Sequence, residues 1–83
     1  AMQSAIDRAK KFGIGCVAVR NSTHFGICGY YAKMACDQDM IGLCFTNARP
    51  SIAPLFGVAP MLGTNPICFG APTNKPYPFI FDA

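Results

Sequence analysis

The stretch GCVAVRNSTHFGICGYYAKMACDQDMIGLCFT, residues 15 to 46, carries most of the information that predicts the fold. Residues 15–20 are apolar and β-branched, and glycine and polar residues bound them, which predicts a strand. Apolar residues at helical spacing follow over about 26–38 and predict a helix, with an N-cap among residues 21–23. Residues 40–46 form a continuous apolar run, typical of a strand buried on both faces. Strand, helix and strand in about thirty residues predict a right-handed βαβ unit with parallel strands.

The rest of the chain adds one helix and two strands to this unit. Apolar residues recur at helical spacing from Met2 to Phe12, and Gly13 ends the pattern, so we expect a helix that packs on the same sheet. Residues 66–71 and 78–83 predict two further strands, joined by a turn at residues 73–78. The predicted fold class is therefore α/β, a two-layer α-β domain with a βαβ unit.

Composition indicates a segment of a larger chain rather than a whole globular protein. Of the 83 residues, 52% are hydrophobic and 13% charged, whereas about 25% are charged in a typical globular domain. A domain of this length buries only about 60% of its unfolded surface, which leaves much apolar area uncovered. The Pro-rich segment 47–66 is also apolar, and we expect another domain, a subunit or a ligand to cover it. We therefore interpret residues 1–83 as a single α-β segment of a longer chain.

Charge and hydropathy argue against two classes of partner. The net charge is +3, and the basic cluster Arg8, Lys10 and Lys11 lies on the polar side of the first predicted helix. Nucleic-acid binding would require a basic stripe with interleaved aromatic residues, and the sequence has none. No apolar run approaches the roughly 18 residues of a membrane span. We therefore expect neither a nucleic acid nor a membrane as partner.

Cysteine usage favours a reduced, cytoplasmic protein. The five cysteines are odd in number, form no CxxC pair and lie within apolar runs, which predicts buried thiols rather than disulfides. His24 and Cys28 are four residues apart and would share a face if both were helical. No further ligands stand at metal-binding spacing, so we expect no metal site.

His24, the only histidine, lies where chemistry is expected. It ends the connection between the first predicted strand and the second predicted helix, and ligands gather at the carboxyl ends of parallel strands. A helix N-terminus there would offer N–H groups to an anion. The polar groups Thr46–Asn47 and the LGTNP loop, residues 62–66, stand at other strand ends. A structural histidine, or a Cys28 nucleophile with His24 as its base, are the alternatives.

Four segments carry a family resemblance: NSTHFGICGYYAKMA from Asn21, IGLCFTNARPSIAPLFG from Ile41, MLGTNPICFGAP from Met61 and the terminal FDA. In this order and spacing they resemble the type 2 malate/L-lactate dehydrogenase family, from about Val17 to Ala83. The resemblance implies an oxidoreductase that uses NAD or NADP, without a Rossmann fold, on a small 2-oxo or 2-hydroxy acid. It also implies a homodimer.

The resemblance further implies roles for individual residues. His24 matches a family histidine that acts as general acid/base or as a cofactor contact, and Thr64 matches a substrate contact. Residues matching cofactor-lining positions are His24, Phe25, Gly26, Ile27 and Cys28, together with Asp82 and Ala83. Two positions depart from the family pattern: Ala48 stands where serine is frequent, and Phe56 where glycine is frequent.

A non-enzymatic reading of the same sequence is an α/β interaction module that binds a partner protein through its apolar Pro-rich loop. This alternative accounts for the exposed hydrophobicity. It gives no reason for His24, Thr46–Asn47 and Thr64 to share one edge of the fold. The arginines Arg20 and Arg49 are candidate carboxylate contacts only by type, and we assign them no role.

Overall fold

The computed structural model describes all 83 residues and contains two helices and one three-stranded sheet. The sheet has the order β1-β2-β3, with both pairs antiparallel. Helix α2 packs on one face of the sheet, and helix α1 packs on α2. This two-layer arrangement confirms the predicted α/β class. The element bounds are α1 Met2–Phe12, α2 Cys28–Cys36, β1 Gly42–Phe45, β2 Ile67–Ala71 and β3 Phe79–Asp82.

The two helices begin and end for different reasons. Helix α1 has the predicted bounds, and Gly13 ends it in a left-handed conformation (φ 84°), donating its N–H to the carbonyl of Ala9. Helix α2 is shorter than predicted because Gly26 has φ 87° and Ile27 is extended, so the chain becomes helical only at Cys28. The predicted N-cap among residues 21–23 is therefore wrong. No helix combines the length and the hydropathy that crossing a membrane requires.

The predicted parallel βαβ unit does not form within this chain. Residues 15–20 are not in a strand, and the sheet is antiparallel throughout. Gly15 instead lies against the backbone of α1, where a Cβ atom would overlap the carbonyl oxygen of Ala5. The chain therefore turns back along α1 rather than joining the sheet. The expected packing of α1 on the sheet is also wrong, because α1 contacts α2 and no strand.

Small residues allow α2 to lie very close to the sheet. Gly42 of β1 pairs with Gly70 of β2, and both face the helix. A Cβ atom on Gly42 would lie 2.6 Å from the carbonyl oxygen of Ala32, and one on Gly70 would lie 2.9 Å from the Sγ atom of Cys36. Ala32 itself is fully buried. The core is correspondingly small: Ile6, Cys28, Ala32, Ala35, Cys36 and Cys68.

The second face of the sheet is apolar and has no covering layer in this chain. In β1 the side chains of Leu43 and Phe45 are 57% and 68% exposed, so the expected burial on both faces is not reached. The chain exposes 6609 Å², whereas a compact monomer of 8.9 kDa exposes about 4800 Å². The excess area is largely apolar. The residues on this second face are Leu43, Phe45, Ile67, Phe69, Phe79 and Phe81.

The segment between β1 and β2 extends the hairpin that these strands form. Ile52 and Leu62 make an isolated antiparallel bridge, and Gly57 donates its N–H to the carbonyl of Pro54 (2.8 Å) to close a turn. Phe56 occupies the third position of this turn with φ 62°, a conformation that glycine adopts at little cost. The family glycine that Phe56 replaces thus corresponds to a backbone position with positive φ.

Candidate active site

One end of the sheet gathers polar groups from distant parts of the sequence. The carboxyl end of β1 and the amino end of β2 meet there, with the N–H of Thr46 donating to the carbonyl of Pro66 (3.3 Å). Ile67 and Ala83 exchange two backbone hydrogen bonds, of 2.7 and 3.1 Å, which brings the end of β3 to the same place. The N-terminus of α2 lies above it, because Asp82 contacts Gly29. We call this region the site end of the sheet.

The segment from His24 to Cys28 is held against α2 by its aromatic residue. Phe25 packs against the buried cluster of Cys28, Ala32 and Cys68, and the Tyr31 hydroxyl donates to the Phe25 carbonyl (2.6 Å). The rings of Phe25 and Tyr31 lie 5.4 Å apart between centroids, in a tilted arrangement. Ile27 is 74% exposed next to these anchored residues. The segment therefore has a fixed backbone and an open apolar surface.

His24 is exposed and makes one hydrogen bond within the chain. The N–H of Gly26 donates to its Nδ1 atom (3.1 Å), so the neutral ring carries its proton on Nε2. His24 precedes α2 by four residues and shares no helix face with Cys28, contrary to the helical arrangement considered from the sequence. The imidazole thus presents an N–H donor at Nε2.

Asp82 lies at the start of α2. Its Oδ2 atom accepts a hydrogen bond of 2.6 Å from the N–H of Gly29, the second helical residue. A carboxylate at this position is stabilised by the partial positive charge of the helix N-terminus. We expected that this helix terminus would offer N–H groups to a bound anion, but one of them is already engaged by a side chain of the protein. Gly29 is a site residue that we did not identify from the sequence.

A row of thiols runs below α2 next to Asp82. The sheet register places Cys44 beside Cys68 and Cys68 beside Asp82, and Cys28 packs against this row from the helix. Burial, with further contributions from Cys28, Cys68 and Asp82, raises the pKa of Cys44 to about 11. Burial also raises the pKa of Cys68, and Asp82 adds to this effect. These thiols are therefore protonated at neutral pH.

The thiol environment bears on two expectations from the sequence. All five cysteines are free, and three are buried as predicted, but Cys16 is exposed because residues 15–20 do not enter the sheet. Cys28 is 3% exposed, and the His24 Nδ1 atom bonds Gly26 rather than a thiol. This geometry does not support Cys28 as a nucleophile activated by His24.

The LGTNP loop is tied to the end of β1. Asn65 has φ 42°, and its Oδ1 atom accepts a hydrogen bond of 2.8 Å from the N–H of Ala48. Gly63 lies against the Ala48 carbonyl, where a side chain would collide with it. Thr64 stands exposed between these two anchors. The sequence predicts an extended Asn65 because proline follows it, and the positive φ shows that this expectation is wrong. The contact of Asn65 with Ala48 was not identified from the sequence.

The structure thus joins the predicted site residues in two groups. Asp82 bonds the N–H of Gly29, the residue after Cys28, at the N-terminus of α2, and His24 lies four residues before Cys28. Thr64 belongs to the second group, at the Ala48 contact, and it makes no direct hydrogen bond to His24. The arginines Arg20 and Arg49 are exposed and form no ion pair within the chain; the one salt bridge joins Lys33 and Asp37.

The sequence profile of the malate/L-lactate dehydrogenase family matches residues 1–83. The chain belongs to this family. It is 58% identical over 82 residues to a malate dehydrogenase of Pyrococcus abyssi, covering 99% of this chain and 22% of that protein. A (2R)-3-sulfolactate dehydrogenase (NADP(+)) of Chromohalobacter salexigens is 33% identical over 81 residues, covering 98% and 24%. The crystal structure of malate dehydrogenase from Entamoeba histolytica superimposes with a TM-score of 0.90 at 54% identity, covering 99% and 23%.

For this malate/L-lactate dehydrogenase family member, the comparisons confirm the resemblance found in its sequence motifs. The chain spans only 22% of the length of the Pyrococcus relative. The uncovered sheet face and the exposed Pro-rich loop are consistent with a segment that packs against further structure.

Proposed function

We propose that this chain is the cofactor- and substrate-binding α-β segment of an NAD- or NADP-dependent dehydrogenase. The reaction interconverts a small 2-oxo acid and its 2-hydroxy acid, of the malate or lactate type. The observation that carries the proposal is the family match over residues 1–83, with relatives named for malate and for sulfolactate. Because the chain spans less than a quarter of those relatives, other residues of the active site belong to the longer chain.

The residues from His24 to Cys28 suit a nicotinamide cofactor by their shape and chemistry. Gly26 has no atom within 4 Å of the position of a Cβ, which leaves open space over the backbone. The exposed Ile27 adds an apolar surface beside it, suitable for a flat ring. A bound dinucleotide would supply the hydride that reduces the carbonyl carbon of the substrate.

His24 is proposed to have one of two roles. It acts either as the general acid/base that transfers a proton to the oxygen of this carbonyl group, or as a hydrogen-bond donor that orients the cofactor. With Nδ1 engaged by Gly26, Nε2–H is the group that donates to a carbonyl oxygen. Transfer of a proton from a doubly protonated ring requires the His24 ring to rotate so that Nδ1 leaves the Gly26 N–H, because Tyr31 holds the Phe25–Gly26 peptide. His24 is exposed, which leaves room for this rotation. General acid–base catalysis of this kind typically contributes about 10²- to 10⁴-fold to the rate.

Thr64 is proposed to donate a hydrogen bond to the substrate carboxylate. Asn65 and Gly63 both contact Ala48, and these contacts hold the loop on either side of Thr64. The fixed backbone orients the short Thr64 side chain and its hydroxyl. A hydrogen bond to a charged group contributes about 1.5–3 kcal/mol. The loss of this bond therefore affects substrate binding and leaves cofactor binding unchanged.

The exposed apolar loop supports a second candidate, an interaction module that binds a partner protein. Leu55, Phe56 and Val58 are almost fully exposed in this chain, and Met61 and Leu62 are more than half exposed. The same exposure is expected for an enzyme segment that packs on the rest of its chain or on a second copy in a homodimer. Saturable quenching or enhancement of NADH fluorescence favours the enzyme, and binding of proteins without a nicotinamide signal favours the module.

The first experiment is oxidation of NADH and of NADPH by the full-length protein with oxaloacetate, pyruvate and a panel of other 2-oxo acids. Turnover with one acid supports the proposal and identifies both substrate and cofactor. No turnover, with no NADH or NADPH binding, contradicts it. Turnover that persists after thiol alkylation further excludes a cysteine nucleophile.

Two variants then test the residue roles in the active protein. His24→Ala lowers kcat about 10²- to 10⁴-fold if His24 transfers the proton, and raises the cofactor KM with a smaller loss of kcat if it orients the cofactor. Thr64→Val raises the substrate KM and leaves the cofactor KM unchanged. An unchanged substrate KM in Thr64→Val removes the assignment of Thr64.

A further inference from the structure

We propose that Asp82 is a positioning residue that caps α2 from the neighbouring strand and thereby holds the segment from His24 to Cys28 in place. In this role its carboxylate does not contact the cofactor, in contrast to the cofactor-contact role that the family resemblance implies. The cap itself is a property of the fold. Its effect on cofactor binding rests on the proposed function.

Helix α2 has no cap of its own. The N-cap residue is Ile27, whose side chain has no hydrogen-bond acceptor, and the first turn contains no acidic residue. Helices with uncapped N-termini leave several N–H groups without partners. Asp82 supplies the missing acceptor from 53 residues further along the chain, with an Oδ2 to N distance of 2.6 Å. A short bond to a carboxylate at a helix N-terminus combines a charge-assisted hydrogen bond with a favourable dipole interaction.

Gly29 makes this approach possible. A Cβ atom at this position would lie 3.1 Å from the Asp82 Oδ2 atom and 3.3 Å from the Cγ2 atom of Ile80. Glycine is a poor helix former, so its presence at the second residue of α2 carries a conformational cost. Strand β3 lies so close to the start of α2 that a larger residue than glycine would crowd Ile80 and Asp82. Gly29 and Asp82 therefore act as a pair.

The cap is connected to the segment proposed to bind the cofactor by a short series of contacts. Gly29 follows Cys28, which belongs to the core cluster that Phe25 packs against, and the Phe25 carbonyl accepts a hydrogen bond from the Tyr31 hydroxyl of α2. Fraying of the first turn of α2 would release these contacts and with them the backbone around His24. The Asp82 carboxylate thus orders the segment without touching a ligand.

The experiment compares Asp82→Ala, Asp82→Asn and Gly29→Ala in the full-length protein, with NADH binding measured by fluorescence titration. Asp82→Ala removes the acceptor and is expected to raise the Kd for NADH about tenfold. Asp82→Asn keeps an oxygen acceptor and recovers most of the lost affinity, because asparagine caps helices about as well as aspartate. Gly29→Ala moves the Asp82 carboxylate back by a few tenths of an ångström and raises the Kd by less than Asp82→Ala does, because alanine also favours the helix. The double variant Asp82→Ala, Gly29→Ala binds NADH no more weakly than Asp82→Ala alone, since the bond is already absent.

A direct contact between Asp82 and the cofactor gives a different pattern. Asp82→Asn then binds NADH as weakly as Asp82→Ala, and this result overturns the proposal. Hydrogen exchange at the Gly29 amide tests the cap without a cofactor. The exchange is expected to be about tenfold faster in Asp82→Ala than in the wild type; unchanged exchange overturns the cap. A wild-type protein that binds neither NADH nor NADPH contradicts the proposed function, whereas faster exchange in the variant still supports the cap.

Discussion

Replacing Phe56 by glycine should stabilise the turn at the tip of the Pro-rich loop. Phe56 has φ 62° and a side chain that is 97% exposed, so it adopts a backbone conformation suited to glycine and packs on almost nothing in this chain. The turn is closed by the hydrogen bond from the Gly57 N–H to the Pro54 carbonyl. Backbone strain at Phe56 weakens this turn, so the stability of the Gly57–Pro54 hydrogen bond measures that strain.

The magnitude follows from two opposing terms. A non-glycine residue in the left-handed region costs about 1–2 kcal/mol. Glycine costs about 0.5–1 kcal/mol through the greater freedom of the unfolded chain. Because Phe56 is 97% exposed, little burial is lost, and the net gain in local stability is about 0.5–1 kcal/mol. Hydrogen exchange at the Gly57 amide in the full-length protein should accordingly slow about two- to fivefold.

The matched control is Leu55→Gly at the preceding turn position. Leu55 is 85% exposed and has a negative φ, so glycine relieves no strain there. Leu55→Gly should speed hydrogen exchange at the Gly57 amide, because the added glycine lowers the local stability of the turn by about 0.5–1 kcal/mol. Faster exchange in Phe56→Gly as well would refute the reasoning, and would mean that the Phe56 ring packs on another part of the protein.

Two further predictions concern the packing of α2 on the sheet. Gly42→Ala places a methyl group 2.6 Å from the Ala32 carbonyl oxygen. It should lower the free energy of unfolding of the full-length protein, measured in urea, by about 3 kcal/mol. An unchanged free energy of unfolding would contradict the close approach of α2 to the sheet. A thiol reagent at pH 8 should label Cys16 and leave Cys44 unmodified, because Cys44 is covered by α2 and burial raises its pKa from 9.0 to about 11. Since the folded pKa is the higher one, stabilisation by this neutral thiol is present below pH 9.0 and is lost as the pH rises towards about 11. If the reagent labels Cys16 and Cys44 at equal rates in the folded protein, α2 does not cover Cys44 as described.

Predictions from the sequence were most accurate where the cause is local. The bounds of α1 were predicted correctly because apolar residues at helical spacing and a terminating Gly13 are contained in one segment. The strands β1, β2 and β3 were located because each is a short apolar run between turn residues. The family was likewise readable from motifs within continuous segments, and the matching profile confirms it.

The candidate site was only partly predictable. His24, Thr64 and Asp82 were selected by residue type and resemblance. The His24 ring bonds Gly26 two residues away, whereas the contacts that place Asp82 and the Thr64 loop come from elsewhere in the sequence. No local pattern indicates that Gly29 bonds Asp82 or that Asn65 holds Ala48. Such contacts depend on which strands become neighbours.

What the sequence determined by itself is therefore the set of segments able to form helix or strand, together with the family to which the chain belongs. The tertiary structure alone decided that residues 15–20 follow α1 instead of forming a strand, that the sheet is antiparallel, and that Asp82 caps α2. The physical reason is that a strand exists only when another strand satisfies its backbone hydrogen bonds. Pairing, register and long-range caps are properties of the assembled backbone, whereas periodicity and turn chemistry are properties of a few consecutive residues.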